Sequence, residues 1–492
     1  MCGICGYFGK NVANYPLPIH KLKHRGPDDT GYIINGHYKF GHTRLSIIDL
    51  AGGHQPMYNP EGTLCIVFNG EIYNYRLLRK GLRENHTFKT NSDTEVILHL
   101  FEEEGPMGLA KLDGMFALAI ASPQGLVMAR DPVGIKPLYY QEVYNNLYFA
   151  SEIKAFIKSQ TPITEFPPGH IYTTDGGYQA YFEIPRDYET NIKWEESLRV
   201  LQHKLKQAVQ KRLMSDVPLG SFLSGGLDSC LITALIKQDM DELHTFSVSM
   251  EQSNDRDYAL LAAKYLGTIH HEYILSPGEI WDKLPEIIYY LESFDQSLVR
   301  SAVANYFLAK MAAEEVKVVL TGEGADELFA GYAYLDRFSN EEELHRELWE
   351  ITSALHNTNL QRVDRMTMAH GLEARVPFLD REMITWAMKL PPAYKRNAAE
   401  GVSKWCLREA FRKESLLPEE IILRKKEKFA EGSGVAGILA AMATEKVSEG
   451  SYQAELSRGT PLRSREEYYY FQIFEAYFGR EQAMNLVGRS KS

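Results

Sequence analysis

The chain has 492 residues, of which 44% are hydrophobic, 11% aromatic and 24% charged, with a formal net charge of −11. That length exceeds what one hydrophobic core usually organises and predicts two domains, and the acidic balance argues against a nucleic-acid or anionic-membrane binder. Only Ala110 to Ala129 approaches the roughly 18–20 apolar residues of a membrane span, and Lys111, Asp113 and Pro123 interrupt it.

The chain opens Met1-Cys2-Gly3-Ile4. Removal of Met1 would leave a thiol and a free α-amine on Cys2, a nucleophile carrying its own base, since an α-amine titrates at roughly 7.7–8.0. The bland reading of Cys2 is a small apolar residue in a first strand. Cys2, Cys5, Cys65, Cys230 and Cys406 are an odd set, Cys5 reads as core filler, and no basic and apolar leader precedes them, so a reducing cytoplasm is expected.

Short strands and turns dominate the first part: Ile4 to Phe8, Leu64 to Phe68, Met115 to Ala121, Leu126 to Ala129 and Leu147 to Ala150. One helix is predicted from Ser92, with Ser92-Asp93-Thr94-Glu95 as a capping box and Gly105 as its stop. These signals predict an α+β domain of layered antiparallel sheets over residues 1–185, followed by a linker at 186–196 within the polar segment Ile184 to Trp194.

From residue 197 to 480 strands alternate with helices. Leu198, Leu201, Leu205, Val209 and Leu213 recur at helical spacing, then come a strand at Val217 to Leu223, a helix from about Asp228, a strand through Phe246, Val248 and Met250, and a helix Tyr258 to Leu266. Strands near Glu272 to Leu275 and Val316 to Thr321, the second after a helix from about Ala302 to Ala313, complete an α/β domain with a parallel sheet flanked by helices. Glu341 to Phe411 reads as largely helical and residues 481–492 as a disordered tail.

The strand ending at Leu223 runs into Ser224-Gly225-Gly226-Leu227-Asp228-Ser229 at the start of a helix. Glycines there let backbone N–H groups close around phosphate, and Asp228 offers a ligand for Mg²⁺. A Walker A ending is missing. A plain glycine-rich turn is the bland alternative.

Ser224 to Ser229 resembles the signature of the ATP pyrophosphatases, and together with Cys2-Gly3-Ile4 the chain resembles the glutamine-hydrolysing asparagine synthetases from Met1 to about Phe478. These join a class II glutamine amidotransferase, an N-terminal-nucleophile hydrolase fold, to an adenylating domain. The resemblance implies that Cys2 attacks the glutamine amide, that Asn69 and Gly70 form the oxyanion hole, and that Arg44, Asn69, Glu71 and Asp93 bind glutamine. It implies ATP contacts at Leu223, Ser224, Gly225, Gly226, Asp228, Ser229, Val248, Thr321 and Gly322, with Mg²⁺ on Asp228 and Asp326. Lys426 would stabilise charge in the activation step, Glu323 would act as a base or position the acceptor, and Arg300 would bind the acceptor carboxylate.

The implied reaction makes asparagine from aspartate and glutamine through a β-aspartyl-AMP, releasing AMP, pyrophosphate and glutamate, with ammonia passing internally. Its implied partners are the small molecules glutamine, aspartate and ATP, with no nucleic acid and no membrane, and with a homodimer left open. One departure is Leu298, in Asp295-Gln296-Ser297-Leu298-Val299-Arg300, where bacterial members carry adjacent threonines before Ile-Arg. It keeps a second reading open, the same chemistry on another carboxylate acceptor.

Overall fold

The computed structural model describes residues 1–143, 146–156, 161–251, 253–424 and 434–491. The backbone divides into two compact units, one of Met1–Glu183 with Ser215–Val217 and Met368–Glu373, the other of Ile184–Met214, Pro218–Thr367 and Ala374–Ser492.

The first unit is built from β1 (Cys2–Phe8), β2 (Asp29–Ile34), β3 (Tyr38–Arg44), β4 (Met57–Tyr58), β5 (Cys65–Ile72), β6 (Gly114–Ser122), β7 (Gly125–Arg130), β8 (Tyr139–Val143), β9 (Asn146–Ala150), β10 (Thr164–Glu165), β11 (His170–Thr173) and β12 (Gly177–Ala180). They form two six-stranded sheets, ordered β10-β8-β9-β1-β3-β2 and β12-β11-β7-β6-β5-β4. Pairing is antiparallel, with β1 between β3 and β9 and β6 between β5 and β7. Ile4, Phe40 and Phe149 of one sheet share a buried cluster with Val67, Ala117, Ala119 and Met128 of the other. The alanines recur at the strand period of two and leave room for the rings, and each large side chain buried there contributes roughly 1.5–3 kcal/mol.

The helix Asp93–Glu104 starts at Ser92 and stops at Gly105, as expected. The reciprocal capping box does not form. Ser92 Oγ accepts the Thr94 N–H at 3.1 Å, whereas the Glu95 carboxylate accepts the backbone N–H groups of Lys89 and Thr90, both at 2.7 Å. The loop before the helix offers Glu95 two donors where the box offers one. The box that does form is Ser276 with Glu279, at the helix Pro277–Leu291.

The third sheet consists of β13 (Leu219–Phe222), β14 (His244–Ser249), β15 (Ile269–Ile274), β16 (Val318–Leu320) and β17 (Glu373–Arg375), in the order β15-β14-β13-β16-β17, and belongs to the second unit except for Glu373. Strands β13, β14, β15 and β16 run parallel. The helices Leu227–Lys237, Asn254–Leu266 and Gln296–Ala312 connect and flank them. The helix Trp194–Lys211 buries Leu201, Leu205 and Val209, part of the expected stripe. The segment read as a linker is bonded along its length, since Trp349 Nε1 donates to Ile184 O and Tyr394 Oη to Ile192 O.

The stretch from Glu341 to Phe411 is largely helical, as expected, with four helices of eight or more residues, and it also contains β17 and the short pairing of Arg396–Asn397 with Val402–Ser403. One expectation is corrected. The tail forms the helix Arg480–Asn485, and beyond it Arg489 Nη2 donates to Glu467 Oε2 at 2.7 Å and Ser490 Oγ to Asp295 Oδ1 at 2.7 Å. Buried carboxylates of the second unit draw these polar residues in. Among the described residues no helix is long and apolar enough to cross a membrane.

Candidate active site

Cys2 stands at the start of β1 in one sheet of the first unit, and Asn69 on β5 in the other. The Cys2 N–H donates to Asn69 Oδ1 at 3.0 Å. Asn69 is fully buried, and its Nδ2 donates to nothing among the described residues. A buried amide donor without an acceptor is costly, and one beside a nucleophile is what a developing oxyanion requires. Gly70 follows it with no room for a side chain, since a Cβ there would lie 2.1 Å from Met115 O.

The Cys2 Sγ is enclosed. Burial pushes its thiol above the ordinary value of 9.0, and the α-ammonium charge nearby is the largest opposing influence. The recess before it is lined by Met1, Cys2, Arg44, Gly70, Glu71 and Asp93 among others. Arg44 spends its guanidinium on the backbone carbonyls of Ile48, Asp49 and Leu50, which fixes the loop around the recess. Asp93 Oδ2 accepts the Ile72 N–H at 3.0 Å, and burial raises its carboxyl to about 6. Met1 is 1% exposed and also lines the recess, with its ammonium 3.2 Å from Glu373 Oε2. Behind them His42 Nε2 faces Phe68 O at 3.2 Å, and burial lowers the ring to about 3, so it is neutral.

In the second unit a cavity lies at the carboxyl ends of β13, β14 and β16, the position where parallel sheets take ligands. It is lined by Leu223, Ser224, Gly226, Asp228, Ser229, Val248, Thr321, Gly322, Glu323 and Asp326 from the predicted set. Gly225 has φ +75°, and a Cβ there would press on the backbone of Tyr258 and Ala259 at 2.6–2.8 Å, so the loop requires glycine. Gly322 lies equally tight, with Asp228 and Ser229 backbone atoms 2.9 Å from a Cβ.

Lys404 is the residue that sequence reasoning missed. Its Nζ, 2% exposed, lies 2.5 Å from Asp228 Oδ2 and 2.6 Å from Asp326 Oδ1. Arg408 and Arg424 line the same cavity, and Arg424 Nη1 donates to Gly225 O at 3.0 Å. No local motif marks Lys404; a single lysine before a helix carries no signal until the fold brings it across the sheet. Glu327, next to Asp326, takes hydrogen bonds from Tyr332 Oη and Asn359 Nδ2 instead.

Arg300 is not among the residues lining this cavity. Its Nε and Nη2 hold both oxygens of Glu466 at 2.7 and 2.6 Å. Glu323 does line it, paired with Arg362. Leu298 is 1% exposed, packed inside its helix, and does not line the cavity either. Lys426 lies outside the described residues.

Comparison with known proteins follows the same division. The profile described as a glutamine amidotransferase domain matches residues 1–173, and that described as asparagine synthase matches residues 200–340 and 336–491. An amidotransferase coupled to a ligase is thus the class. A Brassica oleracea glutamine-hydrolysing asparagine synthetase is 37% identical over 99% of this chain and 88% of its own length. Those of Arabidopsis thaliana (asparagine synthetase 2) and Sandersonia aurantiaca are 38% and 37% identical, over 99% and 97% of this chain and 89% and 96% of theirs. The chain belongs to the glutamine-hydrolysing asparagine synthetases.

Proposed function

We propose that the chain forms L-asparagine from L-aspartate, glutamine and ATP through a β-aspartyl-AMP, with AMP, pyrophosphate and glutamate as the other products. The observation that carries the first half is Asn69, which holds the Cys2 nitrogen with its oxygen and keeps a bare Nδ2 beside it. Once Met1 is removed, the Cys2 α-amine takes the thiol proton, the thiolate attacks the glutamine amide carbon, and Asn69 Nδ2 with the Gly70 N–H stabilises the oxyanion. The tetrahedral intermediate collapses to a thioester and releases ammonia; water then frees glutamate and regenerates the thiol. Asp93 takes the glutamine α-ammonium, while Arg44 and Glu71 shape the pocket for the rest of the molecule.

In the second unit Ser224 to Ser229 and Thr321-Gly322 receive the ATP phosphates, and Val248 contacts the nucleoside. Aspartate's β-carboxylate attacks the α-phosphorus, pyrophosphate leaves, and ammonia then displaces AMP from the mixed anhydride. Asp228 and Asp326 converge on a single cation position, taken by the Lys404 ammonium, and two carboxylate oxygens of that kind suit Mg²⁺. Bound there, Mg²⁺ would supply charge neutralisation to the departing pyrophosphate. Lys404, Arg408 and Arg424 give the same pocket fixed positive charge. Glu323 would accept the ammonium of the acceptor.

Amide-labelled ¹⁵N-glutamine supplied with Mg-ATP and aspartate tests the reading. Label should appear in the side-chain amide of asparagine, with one AMP per asparagine. Unlabelled asparagine, or ADP in place of AMP, would overturn it.

A further inference from the structure

In the first unit, the connection after the helix Tyr75–Leu82 and the second half of the helix Asp93–Glu104 gather side chains that the proposed reaction does not use. The rings of His86 and His99 lie 4.4 Å apart at 36°. Both turn Nδ1 to one carboxylate oxygen, Glu102 Oε2, at 3.3 Å from His86 and 2.6 Å from His99. Glu103 Oε1 is 3.2 Å from His86 Nε2, and Glu95 Oε1 is 3.8 Å from His99 Nε2. His99 is 1% exposed, and neither Nε2 has a hydrogen-bond partner in good geometry among the described residues. The acidic field round the two imidazoles favours a positive charge there, whether a proton on a ring or a bound cation.

The donor set says which cation fits. His86, His99 and Glu102 each offer one ligand atom, all within 4.8 Å of one another. Two imidazole nitrogens and one carboxylate oxygen suit a borderline transition ion, whereas Mg²⁺ and Ca²⁺ take oxygen ligands throughout. His99 and Glu102 stand three apart on one helix, so the backbone sets their spacing. Glu102 is also held in place from behind. Its Oε1 accepts from Asn59 Nδ2 at 2.7 Å, and Asn59 Oδ1 accepts the Thr63 and Leu64 N–H groups at 2.8 Å, which leaves Oε2 for the histidines. Such outer partners fix the orientation of metal ligands.

We infer that His86, His99 and Glu102 form a Zn²⁺ site, bound through the two Nδ1 atoms and Glu102 Oε2, with the remaining position open to water. Entry of the ion displaces the hydrogen shared between His99 Nδ1 and Glu102 Oε2; each ring then binds as a neutral imidazole with its one hydrogen on Nε2, a ring that was protonated giving its second proton to solvent, and the ligands draw to about 2.0–2.2 Å from the metal. The site staples the carboxyl-terminal half of the Asp93–Glu104 helix to the connection before it. No bond of the substrates is touched. The other histidine grouping, His244, His271 and Glu315, carries no such proposal, because His244 Nδ1 and His271 Nε2 are already bonded to each other at 2.9 Å and Glu315 is exposed.

The test uses the full chain carrying Cys2→Ala, so that an aminothiol at the terminus adds no ligand, stripped of metal and kept in excess Mg²⁺. Calorimetric titration with Zn²⁺ should give one ion per chain at micromolar affinity or tighter, and Co²⁺ should give visible bands of four-coordination. His86→Ala, at a half-buried loop position, should weaken binding by at least about tenfold and abolish the rise in Tm on adding Zn²⁺. Glu102→Gln, which keeps the shape of the side chain, should do the same. Binding no tighter than millimolar in the parent, or unchanged binding in both variants, would overturn the assignment.

Discussion

Lys404 and Asp228, 176 residues apart in sequence, meet with Nζ 2.5 Å from Oδ2, and the same ammonium reaches Asp326. Lys404→Met would remove the ammonium that the two carboxylates share. Removing one partner from a buried ionic group costs about 3–5 kcal/mol, so Tm should fall, and Mg²⁺ should restore more of it in the variant than in the parent. ATP-dependent pyrophosphate release should drop on the order of a hundredfold, with glutamine hydrolysis unchanged. Scanning calorimetry with and without Mg²⁺, beside separate assays of glutamate and pyrophosphate, checks both halves.

Asn69→Ala takes away the bare Nδ2 and the acceptor of the Cys2 nitrogen. Loss of one oxyanion donor lowers kcat by about 10²–10³. Glutamate release should fall by that factor while asparagine formation from added ammonium chloride persists. Equal loss of both activities would mean that Asn69 is structural.

Asp93 sets a pH dependence. In the proposed reaction its ionised form attracts the substrate ammonium, and burial raises the carboxyl from 3.8 to about 6. The KM for glutamine should therefore rise as pH falls through about 6. The stability effect runs the other way. A carboxyl whose folded value is raised costs stability that is fully present above the folded value and absent below the unfolded one. Asp93→Asn should raise Tm at pH 8 and leave it unchanged near pH 3, while glutamine affinity is lost at both.

Retained Met1 should be incompatible with glutamine use. The residue fills part of the recess in front of Cys2 and carries the ammonium that pairs with Glu373. Intact mass spectrometry of protein active with glutamine should find a chain beginning at Cys2. Protein that keeps Met1 should form asparagine only from free ammonia.

Periodicity and turn signals were enough for the class of each unit. The apolar runs at Ile4 to Phe8 and Met115 to Ala121, buried on both faces, and the helical stripe from Leu201 to Val209, buried on one, are patterns of burial that sequence records directly. Strands such as Asp29–Ile34 and the helix Tyr75–Leu82 escaped, the first for its mixed exposure and the second because three cations interrupt its apolar positions. At the sites, residues inside compact motifs, such as Asp228 beside Ser224 and Glu323 beside Asp326, were readable because chemistry and turn coincide there. Lys404 and the capture of Arg300 by Glu466 were not, since both depend on residues more than 160 positions apart whose meeting only the fold determines.

The first unit is assembled from three stretches of chain, and Ser215–Val217 and Met368–Glu373 belong to it as much as Met1–Glu183 does. Asp216 Oδ2 accepts the Asp49 N–H at 2.8 Å, and the Asp216 N–H in turn donates to Ile47 O. A gene truncated near codon 183 would therefore encode a piece whose Ile47–Asp49 loop, the one that Arg44 grips, has lost its outer brace. Anyone wishing to harvest this half as a stand-alone glutaminase would have to graft the missing peptides back.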